Sequence, residues 1–123
     1  MAEILYKELS YRVIGVAMEV HKILGSAFLE AVYQAAFDYE LTVRGIPFEP
    51  QKPLPVNYKG QIIGEYKADF VVDKLIILEL KAVSTITETH DAQAHNYLAA
   101  TGLRLAIIIN FASKSLEYKR IVK

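Results

Sequence analysis

The chain has no cysteine in its 123 residues. That excludes a disulfide framework, a thiolate metal site and a cysteine nucleophile. It also lacks charge of one sign, since 14 lysines and arginines balance 14 aspartates and glutamates. Dedicated nucleic-acid binders are generally basic, because neutralising phosphates supplies much of their affinity. The balance therefore argues against tight non-specific binding and leaves room for a local basic groove. No apolar run approaches the roughly 18–20 residues that a membrane-spanning helix needs. Met1-Ala2-Glu3 opens an amphipathic pattern rather than a basic leader before an apolar stretch, so no secretory signal is expected and a cytoplasmic location is. No phosphate-cradling loop surrounds Gly60 or Gly64, and there is no GxSxG elbow. His90 and His95 are five apart, not the four that align two imidazoles on a helix for zinc.

What remains is a hydrophobic, evenly mixed sequence. Hydrophobic residues make up 53% of it, enough for one compact domain over 1–123 and too much for disorder. From about Glu3 to Leu24, Leu5, Leu9, Arg12/Val13, Val16, Val20 and Ile23/Leu24 recur at helical spacing. Gly25-Ser26 interrupts, and a second helix is expected from about Phe28 to Arg44, with Leu29, Val32, Ala36, Phe37, Tyr39/Glu40 and Val43 around it. Gly45 is placed to end it in a left-handed cap. Leu54–Tyr58 and Gln61–Gly64 flank a Lys59-Gly60 turn, with Pro53 and Pro55 pushing the first strand to a sheet edge. Tyr66–Val72 and Leu75–Val83 read as core strands. A third helix runs from Thr87-Glu88 to about Ala100, then Leu105–Phe111 as a covered strand and Leu116–Val122 as a more polar one. This order implies an α/β sandwich with a mixed sheet.

Within the two core strands lie charges that burial alone would not tolerate. Asp69 sits in the first, and Glu79 and Lys81 share one face of the second while Leu78, Leu80 and Ala82 take the other. Unpaired charges in such runs are costly to desolvate. Two acids and an ammonium converging at one sheet end suit a divalent cation and an anionic substrate. Convergence sets a condition on the turn. A two-residue loop at Asp73-Lys74 would oppose Asp69 to Leu78, so the loop must be odd, such as Asp73-Lys74-Leu75, or contain a bulge.

Asp69, then Glu79-Leu80-Lys81, then Gln93-Ala94-His95-Asn96-Tyr97 on the next helix resembles the PD-(D/E)XK nuclease superfamily. Gln93 and Tyr97 are similar to the QxxxY pattern of its exonuclease-like branch. Glu30-Ala31-Val32-Tyr33 resembles that branch's helical glutamate and the signature of the small bacterial GxxExxY proteins. Val20-His21-Lys22, Leu54-Pro55-Val56-Asn57-Tyr58-Lys59-Gly60, Tyr97-Leu98 and Asn110-Phe111 extend the resemblance from about Val13 to Arg120. One position departs from it: Ala27 stands where the GxxE glycine is expected, and alanine tolerates positive φ poorly.

The resemblance implies a restriction-endonuclease-like α/β/α sandwich with a central mixed sheet. It also implies a Mg2+- or Mn2+-dependent nuclease acting on nucleic acid, DNA ahead of RNA. Asp69, Glu79 and the Leu80 backbone carbonyl would be the hard oxygen ligands, with Glu30 completing the shell directly or through water. Lys81 would orient the nucleophile or stabilise the developing charge, and Gln93 and Tyr97, one helical turn apart, would position substrate or water.

Each residue also has a structural reading. Glu79 and Lys81 can form a strand-surface ion pair worth less than ~1 kcal/mol, Asp69 can accept hydrogen bonds near a strand end, and Tyr97 can pack with its hydroxyl at the rim. His90 fits a helix start, His21 a helix end, and Ser84 and Thr85 a loop. Two functions of different class therefore fit: a metal-dependent nuclease, or a nuclease-like fold kept as a binding module for nucleic acid or a protein partner. The first helix offers an apolar face for a homodimer.

Overall fold

The computed structural model describes residues 4–123, and Met1–Glu3, where the first helix is expected to begin, lie outside them. Among the described residues the order is α1 (Lys7–Leu24), α2 (Glu30–Val43), β1 (Phe48–Tyr58), β2 (Gln61–Val72), β3 (Ile76–Lys81), α3 (Glu88–Thr101), β4 (Leu105–Asn110) and β5 (Glu117–Val122). None of the described helices is long and apolar enough to cross a membrane.

The strands form one sheet in the order β1-β2-β3-β4-β5. Only β3 and β4 are parallel, joined through α3, and the other pairs are antiparallel. The central strands β3 and β4 are buried almost throughout, as continuous apolar runs covered on both faces should be. Leu78, Leu80, Ile107 and Ile109 pack into one core with α1 and α2. Ile77, Ala106 and Ile108 pack into a second with Ala94, Tyr97 and Leu98 of α3. The result is an α/β/α sandwich.

Local chemistry sets the boundaries. Gly45 (φ 67) follows the α2 cap, its N–H bonding Thr42 O at 3.1 Å and the Ile46 N–H bonding Leu41 O at 3.0 Å. That is a Schellman ending, with buried Ile46 covering it. Thr87 caps α3 through a capping box in which His90 Nδ1 accepts the Thr87 N–H at 3.0 Å, so His90 is a helix-start residue. His21 Nε2 donates to the Ser113 carbonyl at 2.9 Å beside Phe111.

Three expectations need correction. The first helix begins at Lys7, after Tyr6 in a left-handed conformation (φ 51). Buried Ser10 joins its packed face, because Arg120 reaches across from β5 to hold the Ser10 hydroxyl at 2.6 Å and the Leu5 carbonyl at 2.8 Å. The packed face of α2 is Tyr33, Phe37 and Leu41, while Leu29, Val32, Tyr39 and Val43 are exposed. The Tyr33 ring fixes that rotation by stacking on Phe111 at 4.5 Å. Finally, β1 starts at Phe48 and β2 runs unbroken through Gly64. Prolines hide β1 from propensity, yet an edge strand needs no donors on its free side.

The β1–β2 ribbon carries two irregularities. Lys59 (φ 51) and Gly60 (φ 82) make its tight two-residue turn, and the register slips by one between Val56 and Asn57. Farther down, the pairing runs from Pro50↔Phe70 to Lys52↔Ala68 without a Gln51↔Asp69 pair. Phe48, Phe70 and Val72 pack on the α1/α2 side, whereas Leu54 and Ala68 pack on the α3 side. Even-numbered positions should share a face, so both strands turn over at Gln51 and Asp69.

Candidate active site

The turn after β2 is odd. Val72 pairs with Ile76 across Asp73-Lys74-Leu75, with Asp73 (φ 50) and Lys74 (φ 58) both left-handed and Leu75 N–H returning to Val72 O at 2.9 Å. The register continues through Phe70↔Leu78, which brings Asp69 opposite Glu79, the convergence on which the sequence argument depends.

There the backbone ladder stops and carboxyls replace it. The Leu80 N–H donates to Asp69 Oδ2 at 2.7 Å, and the Asp69 N–H donates to Glu79 Oε1 at 3.3 Å. Because N–H and C=O of one strand residue face the same neighbour, the Leu80 carbonyl is directed to this same edge. The notch thus opens where β2 and β3 part, within reach of both helical layers.

Glu79 is 4% exposed and lies on the α3 side. Burial and the adjacent Asp69 carboxyl push its pKa up to about 9. Burial also raises Asp69, with the Leu80 N–H and Lys81 pulling the other way. The two carboxyls are close enough that each raises or lowers the other's hold on its proton. Lys81 Nζ donates to Gln93 Oε1 at 3.2 Å, fixing the ammonium toward α3. One turn farther, Tyr97 is buried with its ring 5.2 Å from Tyr66. Its hydroxyl pKa rises to about 12 through burial and the charges of Glu79 and Asp69.

Glu30 approaches from the opposite layer, as the first residue of α2. Its carboxyl is raised mainly by burial and feels Lys81, Asp69 and His90, which places it at the rim of the same notch. Tyr33 sets that approach. Its hydroxyl donates to Gly25 O at 2.6 Å and accepts the Phe28 N–H at 3.3 Å, closing the loop into α2. The left-handed residue of that loop is Gly25 (φ 74) and not Ala27, so the Ala27 departure costs the backbone nothing. At the far end of the sheet opening, buried Asn110 ties the β3–α3 connection down by bonding the N–H and C=O of Val83 at 3.0 and 2.8 Å.

Two neighbours had no sequence signal of function. Gln34, four residues after Glu30 and so on the same helix face, donates to the Asp69 carbonyl at 3.3 Å. Gln51 lines the notch with Glu30, Ala31, Gln34 and Asp69. The helical spacing from Glu30 could have found Gln34. Nothing local points to Gln51.

Among the described residues no group of three or more histidine, aspartate or glutamate side chains gathers closely enough to hold a metal. The donor set is instead two carboxyls and a carbonyl edge, hard oxygens of the kind that suit magnesium or manganese. Burial first and the Asp69 carboxyl second raise Glu79, and a cation held by these carboxyls would offset both, so the residues fit such an ion.

A sequence profile of the PD-(D/E)XK nuclease superfamily matches residues 7–121. The chain belongs to that superfamily. As a PD-(D/E)XK nuclease-superfamily domain it has the restriction-endonuclease-like fold, and nuclease-type chemistry is the function its family suggests. A crystal structure of SSO0001 is similar to it with a TM-score of 0.63 at 16% identity, over 91% of this chain and 62% of that one. The likeness concerns the fold, and this chain spans under two thirds of that protein. No curated protein matches the chain.

Proposed function

We propose that this PD-(D/E)XK domain is a metal-dependent nuclease that hydrolyses phosphodiester bonds in DNA ahead of RNA. The observation that supports it most is the meeting of the Asp69 and Glu79 carboxyls where β2 and β3 part, with Lys81 on the Glu79 face. Asp69, Glu79 and the Leu80 carbonyl would hold magnesium or manganese, with Glu30 at the rim joining them directly or through water. Bound there, such an ion supplies a water of lowered pKa and offsets charge developing on the scissile phosphate. Glu79 would have to give up its proton to serve as a ligand. Lys81, held by Gln93, then places its ammonium beside the phosphate oxygens where charge grows. Tyr97 keeps its proton at neutral pH and donates at the α3 wall. The exposed apolar residues of α1, among them Tyr11, Met18 and Ile23, give the same reading a homodimer face.

One observation favours a second reading, the fold kept as a binding module: among the described residues no third acid closes on Asp69 and Glu79. Manganese titration calorimetry on the wild type, Asp69→Ala and Glu79→Ala, with cleavage of single-stranded, duplex and branched DNA, separates the two. Metal binding and cleavage lost together in both variants are expected. Wild-type metal binding with no cleavage of any substrate leaves the binding module.

A further inference from the structure

Five described residues other than glycine have positive φ, and four of them have a turn or helix start to explain it: Tyr6, Lys59, Asp73 and Lys74. Gln51 (φ 48) is the fifth and lies inside β1. A side chain with a Cβ is disfavoured in this conformation, and such strain collects at functional sites when the surroundings hold it in place. Here it sits beside Asp69, where the ladder pair is missing and both strands turn over.

The notch that Gln51 lines has a volume of ≈ 280 Å³. This is at the lower edge of ligand pockets, about 300 Å³ and upward, and suits one phosphate with its sugar. Its other polar walls are short of donors. Glu30 and Asp69 present acceptors, and the Gln34 amide is engaged with the Asp69 carbonyl; Lys81, outside this lining, is tied to Gln93. A phosphodiester brings only acceptor oxygens to such a place. Gln51 is exposed to solvent and carries an uncharged N–H donor, which neither repels the cation nor neutralises the carboxyls.

We propose that Gln51 is a substrate-binding residue, its side-chain amide donating to a phosphate oxygen of the nucleic-acid strand lying across Asp69. The left-handed backbone falls at the residue that leaves the β1–β2 ladder and lines the notch. This rests on the nuclease reading and adds to it the point at which the strand is gripped.

The test compares Gln51→Gly, Gln51→Ala and Gln51→Asn with the wild type. Melting temperature, manganese affinity, anisotropy of a labelled oligonucleotide with manganese present, and cleavage in the same samples are measured. Glycine relieves the strain and removes the amide. Its melting temperature should rise by roughly 2–5 °C, while oligonucleotide affinity falls about tenfold or more and manganese affinity stays unchanged. Alanine should lose the same affinity without the gain in stability. Asparagine, which tolerates the left-handed region and keeps an amide, should recover part of the binding. Glycine and alanine variants that bind and cleave like a functioning wild type overturn the Gln51 proposal and leave the nuclease reading standing. A wild type that binds manganese but neither grips nor cleaves the oligonucleotide overturns both.

Discussion

Asp69 and Glu79 face one another across the β2–β3 boundary with each carboxyl occupying a place the backbone ladder vacated. Asp69 takes the Leu80 N–H at 2.7 Å, and Glu79 takes the Asp69 N–H at 3.3 Å. These bonds orient two acids that burial otherwise penalises, and they hold them against each other in advance of any cation. The fold is therefore less stable at neutral pH than its sheet alone would make it.

Glu79→Gln follows directly from that conflict. Glutamine has the shape of the protonated acid and keeps an oxygen to accept the Asp69 N–H, without having to retain a proton. Below about pH 4.5 the variant and the wild type should melt together. At pH 8 the variant should be the more stable, and it should bind no manganese. Thermal melts with calorimetry on the same samples check both halves, and a variant less stable at every pH would contradict the raised Glu79 pKa.

The same pair sets a pH dependence whose sign is determined. The Glu79 pKa rises from 4.5 in the unfolded chain to about 9 in the fold, so between those values the fold binds more protons than the unfolded chain. The contribution of Glu79 to stability without metal is then greatest below pH 4.5 and declines as pH rises toward 9. Metal binding runs the other way, because Glu79 must lose its proton to become a ligand. Manganese affinity should climb with pH across this window, with about one proton released per ion. Calorimetry in two buffers of different ionisation enthalpy counts that proton.

Lys81 and Gln93 give a prediction that separates binding from chemistry. The 3.2 Å bond between them joins β3 to α3. Lys81→Met keeps the aliphatic stem and removes the charge, so cleavage should fall by about 10²-fold or more. Manganese binding should persist, since Lys81 donates nothing to the ion. Gln93→Ala releases the ammonium without deleting it and should cost less than Lys81→Met. Equal losses in the two variants would instead make Gln93 a direct participant.

Much of this site was legible before any coordinates. The parity of strand side chains puts Glu79 and Lys81 on one face, and the requirement that Asp69 join them demands an odd loop, which Asp73-Lys74-Leu75 supplies. The layered fold followed from element order, and the Lys59-Gly60 turn and Gly45 cap from glycine's freedom at positive φ. What stayed hidden depends on contacts distant in sequence. Ser10 is buried because Arg120 meets it 110 residues later, and α2 turns Leu29 and Val32 outward because Tyr33 stacks on Phe111. Gln51 is invisible for the same reason, since the ladder pair it fails to make is with Asp69 on the neighbouring strand.

Tyr33 offers the sharpest division between fold and site. Its ring, fully buried, lies 4.5 Å from Phe111 with 6° between the planes, and this contact anchors α2. Its hydroxyl bonds Gly25 O at 2.6 Å and the Phe28 N–H at 3.3 Å, and these contacts shape the loop that delivers Glu30. Tyr33→Phe keeps the stack and removes both bonds, stranding a carbonyl and an N–H, at a cost of about 1–3 kcal/mol. Asp69 and Glu79 belong to other elements, so manganese should still bind them, weakened only by what Glu30 adds to the shell. Cleavage should fall nonetheless, because Glu30 loses its fixed approach, and Glu30→Gln added to Tyr33→Phe should then lower it little further. Full additivity of the two losses would show that Tyr33 acts on the fold alone and that Glu30 reaches the notch without it.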